Sequence, residues 1–219
     1  MNSFNRFRQH VQDQPDAVAV VTPYRTATYR KMWSRIERST ARLQGEWNIK
    51  PGDTIAYVGC GHLDALVMYL AAARCGARLL PLEHVGLQHA APAITAAAGV
   101  VLVLHDDALA PTIGLAAGIA CRPLSTLIAT ICQHREQVTE DSSAVSLLQW
   151  LDPTPVQYDV PDVMHRLQGC SLDQLTVQAS LADSTAPRTV NGALFDKDIF
   201  GPLVLATVLA GRALRFGAA

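Results

Sequence analysis

Between residues 54 and 104 the chain alternates short apolar runs with stretches of helical spacing, and this alternation limits the fold more than any other feature. Thr54–Cys60 is nearly all apolar, Ala77–Leu82 is apolar apart from Arg78, and Val100–Leu104 is wholly apolar. Continuous runs of this kind suit strands buried on both faces. The stretch Leu63–Cys75 places Leu66, Leu70 and Ala73 on one side and is stopped by Gly76, and Leu87–Ala98 is stopped by Gly99. Strand, helix, strand, helix, strand at this spacing predicts neighbouring parallel strands with helices packed over them. The expected fold is α/β, a parallel or mixed sheet of at least four strands covered by helices.

The flanking segments extend this reading. Phe4–Gln14 reads as a helix ended by Pro15, Ala17–Thr22 as a strand, and Tyr24–Ala27 as the turn of a hairpin returning through Thr28. Met32, Ile36, Thr40 and Leu43 then mark a helix from Tyr29 to Trp47, and Pro51-Gly52-Asp53 is a turn. Further along, 108–117 and 127–135 read as helices, 119–123 as a strand and 139–143 as a polar loop. Asp152–Asp162, with Pro153, Pro155 and Pro161, reads as an extended crossing, Leu175–Ser180 as a strand and Asp196–Gly211 as an apolar helix. Residues 1–219 are expected to form one domain.

Composition excludes several functions. Hydrophobic residues at 49% and charged residues at 17% belong to a chain with a large buried core. A formal net charge of -1 and 6% aromatics leave neither a basic field nor stacking platforms for nucleic acid. The five cysteines include no Cys-x-x-Cys pair, so they read as reduced, buried thiols and not as a zinc site. No signal-peptide core follows Met1, and the apolar stretch Ile199–Gly211 falls short of the about 20 residues a bilayer needs. The expected location is the cytoplasm, without membrane insertion.

Several polar groups are candidates for sites. His105-Asp106-Asp107 follows a strand, where a metal or acid–base role is conceivable, but an aspartate between a strand and a helix reads as an N-cap. His84 and His89 lack an obvious third ligand, His62 reads as a polar loop residue, and Cys60 as the end of a core strand. No Gly-x-Ser-x-Gly elbow occurs.

Two segments resemble the adenylate-forming enzymes, the family of acyl-CoA synthetases, luciferases and peptide-synthetase adenylation domains. Thr28-Tyr29-Arg30 with Ile49-Lys50-Pro51-Gly52-Asp53-Thr54-Ile55-Ala56 is similar to the family's opening, and Tyr69–Ala77 with Leu80-Pro81-Leu82 looks like its "YLAALKAGAVYVPL". A third segment, Ala182–Val190, stands where the family has a phosphate-binding loop close to S-G-[ST]-T-G-x-P-K-G-V. Ser184, Thr185, Pro187 and Val190 fit, and Arg188 takes the place of the lysine. Every glycine is replaced, and Asp183 brings a negative charge. Such loops bind phosphate through backbone N–H groups that a Cβ keeps at a distance.

By this resemblance the chain corresponds to the amino-terminal portion of the family's large domain. Asp183, Ser184, Thr185, Pro187 and Arg188 form a degenerate nucleotide site, and no catalytic residue or metal ligand is carried over. Lys31, Lys50 and Lys197 do not match the family's catalytic lysine. No cofactor is expected, ATP and magnesium entering only if a partner completes the site. The expected function is that of a non-catalytic, truncated synthetase-like protein acting through protein contacts in acyl or aryl acid metabolism. Two alternatives stay open: one half of a split AMP-forming acyl-CoA ligase, or a fragment of a longer synthetase. The apolar run Phe200–Leu209 would be sticky if exposed, so a homodimer or a partner synthetase or carrier protein is expected to cover it.

Overall fold

The computed structural model describes residues 3–83, 91–109, 118–128, 141–150, 165–180, 188–190 and 193–217. Its centre is a six-stranded sheet in the order β6-β5-β3-β4-β7-β8. The three apolar runs form β3 (Thr54–Val58), β4 (Arg78–Pro81) and β5 (Val100–His105). All three are parallel, with β3 between the others: Thr54 lies opposite Arg78 on one side and Val100 on the other. All five residues of β3 are buried, as a strand covered on both faces requires. The helix α3 (Leu63–Arg74) follows β3 and is buried along almost its whole length, while α4 (Ala91–Ala97) precedes β5. Outward from β5 lies β6 (Ala120–Pro123), also parallel, which leads into α5 (Leu124–Ile128).

On the other side, β7 (Val145–Trp150) is parallel to β4, and β8 (Leu167–Ser171) returns antiparallel to β7. The sequence reading assigned neither strand, and it placed a strand where α6 (Leu172–Ser180) is a helix. Ser171 and Gln174 explain that correction. The Gln174 N–H donates to Ser171 Oγ at 3.1 Å, and the Ser171 N–H donates to Gln174 Oε1 at 2.8 Å. This reciprocal capping box starts a helix in spite of Thr176 and Val177. Leu172 and Leu175 then share its buried face.

A second sheet has the order β2-β1-β10-β9, from β1 (Val18–Val21), β2 (Thr26–Thr28), β9 (Arg188–Val190) and β10 (Leu214–Phe216). Two helices complete this end, α1 (Ser3–Asp13) and α2 (Tyr29–Gly45). In α2 the predicted Met32, Ile36, Thr40 and Leu43 are all fully buried. Its N-cap is Thr28, whose hydroxyl accepts from the Lys31 N–H.

The apolar stretch near the carboxy terminus departs from expectation in two ways. It is not one regular α-helix: residues 197–199 form a turn, Phe200–Leu205 is a π-helix and Ala206–Leu209 (α7) is α-helical. Pro202 cannot donate a backbone hydrogen bond, so a regular α ladder is interrupted there. Nor is the stretch exposed. Phe200 and Val204 are fully buried, Leu205 and Val208 are 1% exposed and Leu209 is 8% exposed. Tyr29 donates its hydroxyl to the carbonyls of Val208 (2.8 Å) and Arg212 (3.1 Å), and His10 Nε2 lies 3.0 Å from the Leu209 carbonyl. The helix α6 packs over this stretch, α1 packs on its last turn, and Tyr29 and His10 cap its carbonyls. The apolar side chains that suggested self-association are thus buried among the described residues, and residues 152–162, read as an extended crossing, lie outside them.

Candidate functional site

The chain runs from β3 to β4 on one side and then crosses back to place β5 on the other side of β3. In open α/β sheets the carboxyl ends of the strands at such a reversal form a crevice that receives ligands. Here the crevice holds Tyr57 of β3, the loop Gly59-Cys60-Gly61-His62, Glu83 just past β4 and Asp106 just past β5.

Asp106 organises this cluster. Its Oδ1 accepts from the Tyr57 hydroxyl at 2.7 Å and from His62 Nε2 at 2.9 Å, and its Oδ2 accepts from the Cys60 N–H at 2.8 Å. The Tyr57 oxygen in turn accepts from the Gly61 N–H at 3.2 Å. His62 also caps α3, its Nδ1 accepting from the Asp64 N–H at 3.2 Å. A neutral imidazole carrying its proton on Nε2 meets both contacts. Gly59 must lack a side chain, since a Cβ there would collide with the Tyr57 hydroxyl and the Asp106 carboxylate.

The charges follow from these contacts. Burial pushes Asp106 up, while His62, Tyr57 and the Cys60 N–H together pull it below its ordinary value. The hydrogen bond from His62 to Asp106 raises the imidazolium, against the pull of partial burial. Burial, then the neighbouring Asp106 carboxylate, pushes the Tyr57 phenol far above its usual range. The start of α3 is anchored separately, by an ion pair of 2.5 Å between Arg25 and Asp64.

Glu83 occupies the other half of the crevice. Its Oε1 accepts from the Leu194 N–H at 3.1 Å and its Oε2 from the Phe195 N–H at 2.8 Å. Burial pushes this carboxyl up to about 7, the two N–H bonds opposing the rise and Asp106 and Asp196 adding to it. Phe195 packs against Tyr57, Tyr69 and Phe200, with ring centroids 6.0, 6.0 and 4.8 Å away.

Sequence reasoning and structure agree only in part about this region. The Asp106 carboxylate is turned onto the loop after β3, and Asp107 accepts from the Ser125 N–H in α5; most of the helix read over 108–117 lies outside the described residues. Tyr57 and Glu83 were not anticipated, although a polar residue at the carboxyl end of a parallel strand is the signal that marks Glu83 and Asp106 alike. Cys60 is exposed and donates only its backbone N–H to the cluster. Asp183, Ser184, Thr185 and Pro187 lie outside the described residues, as do His84 and His89. Arg188 begins β9, where its backbone pairs in register with Leu214. Among the described residues no group of three or more His, Cys, Asp or Glu side chains is arranged to hold a metal ion, and no helix is long and apolar enough to cross a membrane.

Comparison with known proteins decides the family. The sequence profile of the AMP-binding enzymes matches residues 7–171, three quarters of the chain. The chain belongs to the AMP-binding enzyme family. Acetyl-coenzyme A synthetase of Helicobacter pylori is 31% identical over 80 residues, 34% of this chain and 12% of that protein. D-alanine–D-alanyl carrier protein ligase of Bacillus licheniformis is 31% identical over 85 residues, 38% of this chain and 16% of that protein. The fold agrees with that of o-succinylbenzoate coenzyme A synthetase from Bacillus subtilis at a TM-score of 0.77 and 14% identity, covering 97% of this chain and 44% of that one. The N-terminal subdomain of Klebsiella oxytoca NpsA superposes at a TM-score of 0.75 and 18% identity, covering 97% of this chain and 52% of that one. The AMP-binding chain thus spans under half the length of that synthetase and a smaller share of the curated relatives it matches.

Proposed function

We propose that this chain is an adenylate-forming-like domain that does not activate a carboxylate by itself and acts through contacts with another protein, in acyl or aryl acid metabolism. The observation that carries this reading is the Asp106 carboxylate at the crevice. The donors that an anionic ligand would need there, the Cys60 N–H, the Tyr57 hydroxyl and His62 Nε2, are already committed to it. Glu83 and Asp106 add carboxyl groups on both sides of the loop after β3. The described part of the crevice does not fit the phosphates of ATP, which need unspent donors and positive charge. The glycine-free segment 182–190 supports the same conclusion from the sequence.

The partner is taken to be a synthetase or a carrier protein. A second copy is less well supported, because the helix that suggested self-association is buried within the chain. Pyrophosphate exchange with a panel of fatty and aromatic acids tests the absence of activity: the expected result is no carboxylate-dependent exchange above a boiled control. Robust exchange by the isolated chain would overturn the proposal.

A second reading, one half of a split AMP-forming ligase, is favoured by how completely this portion keeps the fold of the relatives. It predicts exchange activity only after mixing with a polypeptide that supplies the remaining part.

A further inference from the structure

A second cluster of charge lies outside the crevice, where the hairpin of β1 and β2 meets α2 and the start of α3. On α2, Lys31, Arg35 and Arg38 follow one another at helical spacing and share one face. Arg25, in the hairpin turn, joins them through Asp64 of α3. Its Nη2 lies 2.5 Å from Asp64 Oδ2, and Arg35 Nη1 lies 3.7 Å from Asp64 Oδ1. Four positive charges thus stand beside a single carboxylate, in a chain whose formal net charge is -1. Glu37 lies off this face, one turn along from Trp33, and Arg30 is taken by Asp16 at 3.1 Å.

This cluster is short of acceptors. Among the described residues Arg35 Nη1 is buried without a hydrogen-bond partner, and the Arg38 guanidinium donates to the Ser34 carbonyl of its own helix at 3.2 Å. Lys31 stands exposed. Burial, then the charge of Arg25, pulls the Arg35 guanidinium down, Arg38 adding to the pull and Asp64 opposing it. The cations are therefore close enough to repel one another. Beside Arg25 stands Tyr24, 94% exposed. The turn that presents it is fixed from both sides. The Thr22 N–H and hydroxyl donate to the Arg25 carbonyl at 2.8 and 2.9 Å, and the Arg25 N–H donates to Thr22 Oγ1 at 3.0 Å. Tyrosine and arginine are the residues enriched where proteins meet, and a side chain already held on a fixed turn loses little freedom on binding.

We propose that this face, formed by Tyr24, Arg25, Lys31, Arg35 and Arg38, docks an acidic helical segment of a partner protein. The inference rests on the reading that the chain acts through protein contacts, and it names the surface and the charge of the partner. Carboxylates supply the acceptors that the cluster lacks, and their paired oxygens match the fork of a guanidinium group. Carboxylates three and four residues apart on a helix repeat along its axis as Lys31, Arg35 and Arg38 do, so a helical segment matches the stripe. Tyr24 adds an apolar contact at its edge. Nucleic acid fits less well: the rest of the chain is acidic on balance, and Tyr24 by itself forms no stacking platform.

The probe is a fluorescent helical peptide of about 15 residues with glutamates at helical spacing on one face and a leucine beside them, followed by anisotropy with the full chain. The same peptide with glutamine in place of glutamate is the control. The acidic peptide is expected to bind and the glutamine peptide to bind at least about tenfold more weakly. Lys31→Glu with Arg38→Glu should weaken the acidic peptide about tenfold, and Tyr24→Ser should weaken it less. Lys50→Glu, on the turn at the other end of β3, should leave it unchanged. Equal binding of the two peptides, or an unchanged affinity in Lys31→Glu with Arg38→Glu, would overturn the proposal. Salt gives a reading that needs no variant: affinity should fall several-fold from about 50 to about 200 mM, and a constant affinity removes docking by charge. Competition by duplex DNA or pyrophosphate at concentrations equal to those of the peptide would assign the face to phosphate groups instead. Pyrophosphate exchange separates this inference from the reading beneath it. Peptide binding alongside exchange activity keeps the face and removes the reading, whereas no binding and no exchange does the reverse.

Discussion

Asp106 Oδ1 lies 2.9 Å from Nε2 of His62, 44 residues earlier in the chain, and this contact joins the end of β5 to the loop that starts α3. The same carboxylate also holds the Tyr57 hydroxyl and the Cys60 N–H. Asp106→Ala removes the acceptor of three donors at once. Hydrogen bonds to a charged group contribute about 1.5–3 kcal/mol each, but they share one acceptor and are not additive, so a total loss of about 3 kcal/mol is expected. Urea unfolding measures it. Formate should restore part of that stability in Asp106→Ala and none in the unmodified chain, because the vacated donors can hold a small carboxylate.

The pair sets a pH dependence whose sign can be worked out. His62 is held above its ordinary 6.5, so its contribution is complete below that value and is lost as pH rises through the folded value. Asp106 is held below its ordinary 3.8, so its contribution is present above that value and is lost as pH falls through the folded value. In a Glu83→Gln background, which removes the buried carboxyl that would also titrate in this range, stability should therefore be flat between the two ordinary values and fall on both sides. Adding Asp106→Asn should flatten both flanks, and adding His62→Asn should flatten the alkaline one. Thermal unfolding followed across pH 3–9 checks this, and an alkaline flank that survives His62→Asn would show that another group titrates there.

Gly61 permits the loop to pass between Glu83 and Leu194 at φ +67. Gly61→Ala meets both a strained backbone and a steric collision, so it should destabilise by about 1–3 kcal/mol. Gly52→Ala is the control: φ is +87, but no atom lies within 4 Å of the Cβ position, so only the backbone strain applies. The difference between the two variants in urea unfolding isolates the contact with Glu83 and Leu194.

Leu205 is 1% exposed within a single chain. Leu205→Ala should cost about 2–5 kcal/mol, as truncation of a buried leucine does. Light scattering should show no change in mass under conditions where the variant remains folded. A variant that instead halves the mass without loss of stability would place Leu205 at a subunit contact.

Much of the fold was legible along the chain. The runs that became β3, β4 and β5 are continuous and apolar because both their faces are covered, and the glycines after the two intervening helices are local stop signals. The helix from Tyr29 is equally plain, since Met32, Ile36, Thr40 and Leu43 repeat at helical spacing and are all buried. The resemblance to the adenylate-forming enzymes rested on the same stretches, where turns, glycines and helix lengths coincide. These features depend on residues within about a dozen positions of one another, which is the range over which hydrophobic periodicity and turn chemistry act.

Tertiary structure decided what those patterns leave open. Leu172–Ser180 has residues suited to a strand, and the capping box from Ser171 to Gln174, together with packing of Leu172 and Leu175, made it a helix. β7 and β8 exist because they find each other at the sheet's edge, β8 offering only Leu-Gln-Gly-Cys-Ser. The terminal apolar stretch reads as exposed or partnered from its sequence, yet α6 and α1 lie over it and Tyr29 of α2 caps it. Asp106 reads as a cap for the residues that follow it, yet it faces Tyr57 and His62 across the reversal of strand order. Periodicity states which face of an element avoids water, but not which distant element covers that face. A carboxylate takes the donors that the crossing of the chain brings to it, and strand order is a property of the whole packed sheet.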